Sequence, residues 1–499
     1  MRLPPARLNA LQLNAYPKVV AATGSQPQEH MAIWVRRQRA APLAVLALAL
    51  MLAVVAANGL AQPGGHVPKT LLLPAILAGA TVMLVLDQRH LFLGWLFLAP
   101  LFQESASNSR TGHLLALGLY TAPPLILLVK HLAAHGARLR AEWVDVLPGA
   151  FALLLLGSLV FTASNALLGQ PSGELRTYYQ NVALGPLMYY LVTFWRGGLA
   201  ASSIVKVLLA AALLQSAMAI VEWRTGWNLW NDLTWARAGD LRAIATLGNP
   251  AITGAFVGVG VVLALGVLIW NGPPQLRTLA VANLVLALPA LYATKTRGPM
   301  LATAIMVTLV LLASARTRLL GITGGILVAL LLYAYWPEIQ TSGFYRSRLA
   351  EKQNVQARVV LQNVSIKLAE KRPLLGWGYA SFDRAKFDAS VSSPTLPLDQ
   401  ALKSTSHNTY LTILVEYGGI GLALFLLPLA LILLRGVRQA RAPSASNRWL
   451  LVGLLAAIGV ILINGATLDY TLYSFITVLA WVLLGLLRRT RAAPATRQQ

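Results

Sequence analysis

Long apolar blocks alternate with short polar, often basic, connections almost from end to end of the chain. Blocks of about 18–22 apolar residues have the length a helix needs to cross a hydrocarbon layer at about 1.5 Å per residue. The pattern predicts spans at 42–60, 70–86, 90–105, 113–133, 145–166, 179–196, 201–221, 249–270, 276–293, 298–314 and 318–336. A long polar stretch follows, and then three more spans at 407–434, 448–466 and 470–488. The predicted fold class is an all-α polytopic membrane protein of about 12–14 transmembrane helices with a large, partly helical outer loop. The blocks at 90–105 and 298–314 are short, which is why the count has a range.

Charge orients this pattern. With 57% hydrophobic and only 12% charged residues, a soluble globular class is excluded. Lys and Arg number 41 against 17 Asp and Glu, a net charge of +24 that in another context would suggest nucleic acid. Here the excess lies in short clusters between apolar blocks, the pattern that sets membrane orientation. A cytoplasmic N-terminus puts the clusters at 87–90, 130–142, 196–206, 271–277, 316–318, 435–448 and 488–491 inside, while 62–69 and 464–470 carry few positives outside. The chain then divides into a cytoplasmic segment 1–41, a first bundle 42–337, an outer loop 338–406, C-terminal helices 407–488 and a cytoplasmic tail 489–499. Residues 1–41 lack the apolar core of a cleavable signal, and Met31 could itself be the start. The absence of Cys removes disulfides and thiolate metal sites.

Three outward connections differ from the rest. The first, 222–249, holds Trp223, Trp227, Trp230 and Trp235, suited to the headgroup boundary, together with Arg224, Arg237 and Arg242. The second is the tight stretch 293–299 with Lys295 and Arg297. The third is the loop 338–406, too long for a plain connection. Within it 355–370 reads as an amphipathic helix with Val355, Val359, Leu361, Ile366 and Leu368 apolar. Lys371-Arg372-Pro373 ends that helix, and Gly376-Trp377-Gly378 makes a turn.

Candidate chemistry gathers where the loop meets the next span. Ser404, Thr405 or Ser406 is expected to cap that helix, leaving His407 in its first turn at the membrane boundary. The positive end of a helix dipole disfavours imidazolium, so the ring stays able to accept a proton. A histidine that merely sits at a helix start fits the same position. Arg242, Lys295, Arg297, Arg348, Arg358 and Arg372 are the outward cations near membrane depth, and a guanidinium fork suits phosphate oxygens. Single arginines at helix ends commonly snorkel to water. Arg297 lies between apolar runs, where an unpaired cation costs about 2.5–3.5 kcal/mol on insertion. Glu416 falls inside the span and Asp469 at the outer end of the last one, each available for function or for a structural hydrogen bond. No Gly-rich phosphate loop and no Asp-x-Asp pair occurs, so neither ATP nor a divalent metal is expected, and no cofactor. His131 and His135 have zinc-like helical spacing but lie inside, with no third ligand near in sequence.

His407-Asn408, followed after nine residues by Gly418 and then Gly421, resembles the signature of bacterial O-antigen ligases and the related Wzy-type polymerases. The preceding loop resembles that family's layout, as does Arg358…Pro373…Gly376-Trp377-Gly378, and the likeness runs from about Arg242 to Asp469. The resemblance implies a metal-independent membrane glycosyltransferase of lipopolysaccharide biosynthesis. Such an enzyme moves O-antigen polysaccharide from undecaprenyl diphosphate to a sugar hydroxyl of lipid A–core, at the periplasmic face of the inner membrane. It implies His407 as general base, Arg242, Arg297, Lys295, Arg358 and Asn408 as substrate-binding residues, and Glu416, Asp469, Arg348 and Arg372 in support. A diphosphate leaves without a proton, so no second carboxylate is needed as acid, unlike in glycosidases. An O-antigen polymerase or a protein O-oligosaccharyltransferase would use the same donor and stays open. A transporter would place polar groups at mid-membrane in two matching halves, a pattern this chain lacks.

The orientation is testable in a chain without natural cysteines. In Ser404→Cys a membrane-impermeant thiol reagent is expected to label from outside, and in Ser446→Cys it is not. The reverse result would overturn the topology.

Overall fold

The computed structural model describes residues 83, 85–103, 110–135, 142–165, 183–195, 198–230, 241–341, 352–388, 406–442 and 447–490. The predicted span 42–60, most of 70–86, and the residues Trp235, Arg237, Arg348, Ser404 and Thr405 lie outside them. Among the described residues all regular structure is helical. In chain order the helices are α1 Gln88–Leu98, α2 Arg110–His135, α3 Trp143–Asn165, α4 Leu184–Thr193, α5 Ala201–Thr225, α6 Pro250–Ile269, α7 Pro274–Thr294 and α8 Arg297–Ala313. They continue with α9 Ala315–Ala334, α10 Trp336–Thr341, α11 Lys352–Lys371, α12 Phe382–Ala385, α13 Thr409–Arg441, α14 Arg448–Gly465 and α15 Ser474–Arg489. Five of these, α5, α6, α7, α13 and α14, are long and apolar enough to cross a membrane. The chain is an all-α polytopic membrane protein.

One predicted span is shorter than the sequence suggested. The block at 90–105 forms an 11-residue α1 and a 3-10 turn over Ala99–Leu101. Pro100 sits in that turn, and its missing N–H ends the helix at about 16 Å of length, against a hydrocarbon layer of about 30 Å. At 179–196 the described helix is the 10-residue α4, which packs on α15.

Helix α6 is apolar around its whole circumference and is therefore central. It packs on α5, α7, α8 and α14. Small residues let these neighbours approach: a Cβ on Gly266 would stand 2.7 Å from the Trp449 carbonyl oxygen, and one on Gly254 2.8 Å from Pro299. Asn249 starts α6 by accepting the Ala251 N–H at 2.8 Å, with Pro250 in the first turn. One end of the bundle is tied by ions. Asp145, wholly buried, takes both Nε and Nη2 of Arg488 at 3.0 Å and the Tyr189 hydroxyl at 2.7 Å. Beside it Glu142 joins Arg435 at 2.7 Å and Arg488 at 2.9 Å.

At the other end α13 is broken. Gly418 has φ 65° and ψ −168°, a conformation essentially reserved for glycine. In an unbroken helix the N–H groups of Gly419 and Ile420 would bond the carbonyls of Val415 and Glu416. Here Gly419 and Ile420 donate instead to Pro373 (2.7 Å) and Leu374 (3.3 Å), while those two carbonyls accept from Trp377 and Gly378, both at 2.9 Å. Each group released by the break is satisfied by the 373–378 turn. Helix α13 also runs on to Arg441, beyond the predicted end near 434.

Helix α11 forms where the amphipathic pattern placed it, with a different buried face. Val360, Leu361, Val364 and Leu368 pack on Phe382, Ala385 and Val415 of α13. Val359 and Ile366 are half exposed, because they fall on the opposite side of a 3.6-residue period. The loop is thus docked on the first limb of α13.

Gly418→Ala is expected to cost about 2–4 kcal/mol from backbone strain and overlap of the new Cβ with the Leu374 carbonyl. A lower melting temperature in detergent checks this. Gly324→Ala, where a Cβ meets nothing within 4 Å, is the control and is expected to melt like the parent.

Candidate active site

Six segments meet at the loop end of the bundle. The 406–412 strip is fastened to the 468–471 turn through two threonines. Thr409 Oγ1 donates to the Leu468 carbonyl at 2.8 Å and accepts the Tyr470 N–H at 2.9 Å. Thr412 Oγ1 donates to Asp469 Oδ2 at 2.6 Å, and Ser406 bonds Thr412 and reaches the same carboxylate at 3.5 Å. Asp469 Oδ1 takes the Thr471 N–H at 3.0 Å and its hydroxyl at 2.7 Å. Burial pushes the Asp469 carboxyl up, against the downward pull of Thr412 and Thr471. Asp469 therefore grips the residues on either side of His407 and is a clamp beneath the site.

The cap differs from expectation. Asn408, not a preceding Ser or Thr, caps α13: its Oδ1 accepts the N–H groups of Tyr410 at 3.0 Å and Leu411 at 3.1 Å. His407 thus stands one residue outside the helix with φ 51°, a left-handed conformation uncommon for a side chain of its size. Its half-buried ring makes no hydrogen bond among the described residues. Partial burial lowers its pKa below the ordinary 6.5, and the charge of Arg358 lowers it further. Partial desolvation, and then the charge of Arg297, likewise lowers Arg358, which still reaches the surface. His407, Arg358 and Arg297 thus form a row of basic groups, with Arg358 in electrostatic reach of the other two. Among the described residues none of the three pairs with a carboxylate.

Arg297 opens α8, where the free N–H groups add to the positive field. A Cβ on the next residue, Gly298, would overlap Thr467 and press on Asn464, so Arg297 lies beside the turn that holds His407. Lys295 ends α7 in a left-handed conformation, φ 46°. Arg242 reaches this corner from the 241–249 connection. Ala243 N–H bonds the Ala293 carbonyl at 3.0 Å, and Arg242 Nη2 donates to Thr296 Oγ1 at 3.1 Å. The fold brings together His407, Asn408, Arg242, Lys295, Arg297 and Arg358.

Two other candidates are used differently. Glu416 is buried at the break in α13 and accepts the Phe382 N–H at 3.2 Å, so it fastens the loop. Arg372 stacks its guanidinium 4.3 Å from the Trp377 ring centroid and props the 373–378 turn. Thr296 and Thr412 carried no signal in the sequence, because hydroxyls at segment ends have no pattern of their own.

Residues 282–426 match a family model described as O-antigen ligase. Over this stretch the chain is similar to the O-antigen ligase family. The matched segment of the ligase family runs from α7 into α13 and holds Lys295, Arg297, Arg358, His407 and Asn408, with Arg242 and Asp469 outside it. That similarity supports a membrane glycosyltransferase of the ligase and polymerase type. No curated protein matches the chain.

The row of charges has a pH signature. If neutral His407 is the active form, activity falls in acid as the ring takes up a proton, with a midpoint below 6.5. Arg358→Gln removes a neighbouring positive charge and so raises the His407 pKa. The acidic limb of the rate profile is expected to move to higher pH, and an unmoved limb would separate the two residues.

Proposed function

We propose that this protein transfers O-antigen polysaccharide from undecaprenyl diphosphate to a sugar hydroxyl of lipid A–core, at the periplasmic face of the bacterial inner membrane. The carrying observation is the row His407, Arg358 and Arg297, a base held near neutrality beside cations without a carboxylate partner among the described residues. A base and unneutralised cations are what this reaction requires. His407 takes the proton of the acceptor hydroxyl as its oxygen bonds to the anomeric carbon. The bond from that carbon to the diphosphate oxygen breaks, and its electron pair leaves on undecaprenyl diphosphate. Arg297 and Arg358, with Arg242 and Lys295 alongside, stabilise the added charge on the phosphate oxygens. No step calls for a metal ion, and the rate is expected to persist in EDTA.

A second observation supports a lipid-linked donor. An almost wholly apolar crevice, lined by Thr409, Tyr410, Ile413, Tyr417, Phe425 and Trp481 among others, begins next along the chain from His407 and Asn408. Such a lining suits a polyprenyl tail while the diphosphate stays at the cations. In this reading 338–406 is the periplasmic loop and both termini are cytoplasmic.

Purified variants divide the roles. His407→Ala is expected to lower single-turnover rate by about 10²–10⁴-fold with donor affinity little changed, since the proton moves only in the transition state. Arg297→Ala is expected to weaken both affinity and rate, and Arg297→Lys to restore only part, for want of the bidentate fork. Near-normal turnover in His407→Ala would overturn the base assignment. In cells, loss of a ligase leaves lipid-linked polymer unattached, whereas single repeats attached to lipid A–core would identify a polymerase instead.

A further inference from the structure

The arginine side of the site hangs on a carboxylate that no motif marks. Glu222 lies in the last turn of α5 and is wholly buried. Its Oε1 accepts the Ile244 N–H at 3.0 Å; its Oε2 accepts the Ala245 N–H at 2.7 Å and Asn228 Nδ2 at 2.8 Å. The same Asn228 amide also donates to the Ala245 carbonyl at 2.6 Å. These bonds hold Ala245 in a left-handed conformation, φ 48°. Thr253 of α6 grips the turn from the other side through the Ile244 carbonyl at 2.6 Å, and Gln215 of α5 bonds Thr246 at 2.6 Å.

Arg242 is the residue that leads into this turn. Its backbone neighbour Ala243 is pinned to Ala293, and its guanidinium rests on Thr296, next to Arg297. Three donors converge on Glu222, and only a group that is acceptor at both oxygens can satisfy them all. An amide there would turn an NH₂ toward an N–H, leaving one buried donor without a partner. A carboxylate this deep depends on that donor set, since burying it unsatisfied is costly.

We infer that Glu222 is a positioning residue for Arg242: by fixing the 243–246 turn it sets where that guanidinium meets the donor diphosphate beside Arg297. The inference rests on the proposed reading of Arg242 as a diphosphate ligand, and the test separates the two.

The probe is undecaprenyl diphosphate in detergent micelles, with dissociation constants measured for full-length Glu222→Gln, Arg242→Ala and the double variant. Glu222→Gln is expected to weaken binding about tenfold, the scale of one lost hydrogen bond to a charged group. In the double variant binding is expected to equal that of Arg242→Ala alone, because Glu222 acts through Arg242. The acidic limb set by His407 is expected to stay in place in Glu222→Gln, as that half of the site is untouched. Wild-type binding in Glu222→Gln, or an effect that adds in full on top of Arg242→Ala, overturns the inference and leaves the reading of Arg242 standing. Wild-type binding in Arg242→Ala removes the reading and the inference together. If Glu222→Gln does not yield monodisperse protein, Asn228→Ala decides. It keeps the carboxylate but removes the amide bridge, and is expected to weaken binding in the same direction and to the same non-additive pattern; unchanged binding there overturns the inference.

Discussion

In hydrocarbon every peptide group needs a partner, so a membrane helix can be broken only where another part of the chain supplies one. The break at Gly418 obeys that constraint group by group. Two helical bonds are opened, and the 373–378 turn fills all four vacant positions with its own backbone. The exchange fastens the described part of the loop, 352–388, to α13. It also decides what α11 can do, because Val360, Leu361, Val364 and Leu368 then close on Val415, and Arg358, on the same helix, arrives next to His407. Without the glycine the turn could not enter, and the basic row would lose its middle member.

The charges of the site divide cleanly into two kinds. The carboxylates Asp469, Glu416 and Glu222 spend their lone pairs on backbone N–H and hydroxyl donors and shape the segments that bear the cations. The cations Arg297 and Arg358 meet no carboxylate among the described residues, so their fields add rather than cancel. Like charges in such a row repel, and a bound anion would offset that repulsion. At the far end of the bundle the opposite rule holds: Asp145 and Glu142 pair directly with Arg488 and Arg435, tying α3, α13 and α15 together. Compensated charge anchors one end, and uncompensated charge waits at the other.

The linear chain by itself determined the membrane class, the placement of most helices and the pairing of a long loop with His407-Asn408. The reason is physical: an apolar block of fixed length has one stable fate in a bilayer, and charge clusters record orientation. The basic candidates Arg242, Lys295, Arg297 and Arg358 were legible for the same reason, since a cation at membrane depth stands out from its surroundings. Only tertiary structure decided which of them meet. It put Arg372 on Trp377, and turned Glu416 and Asp469 into clamps. It put the cap on Asn408 rather than on Ser404, Thr405 or Ser406, leaving His407 outside the helix in a left-handed conformation. It also raised Glu222, a lone acid at the end of α5, into the support of the Arg242 turn. Those outcomes depend on contacts between segments far apart in sequence, for which local periodicity and spacing hold no record.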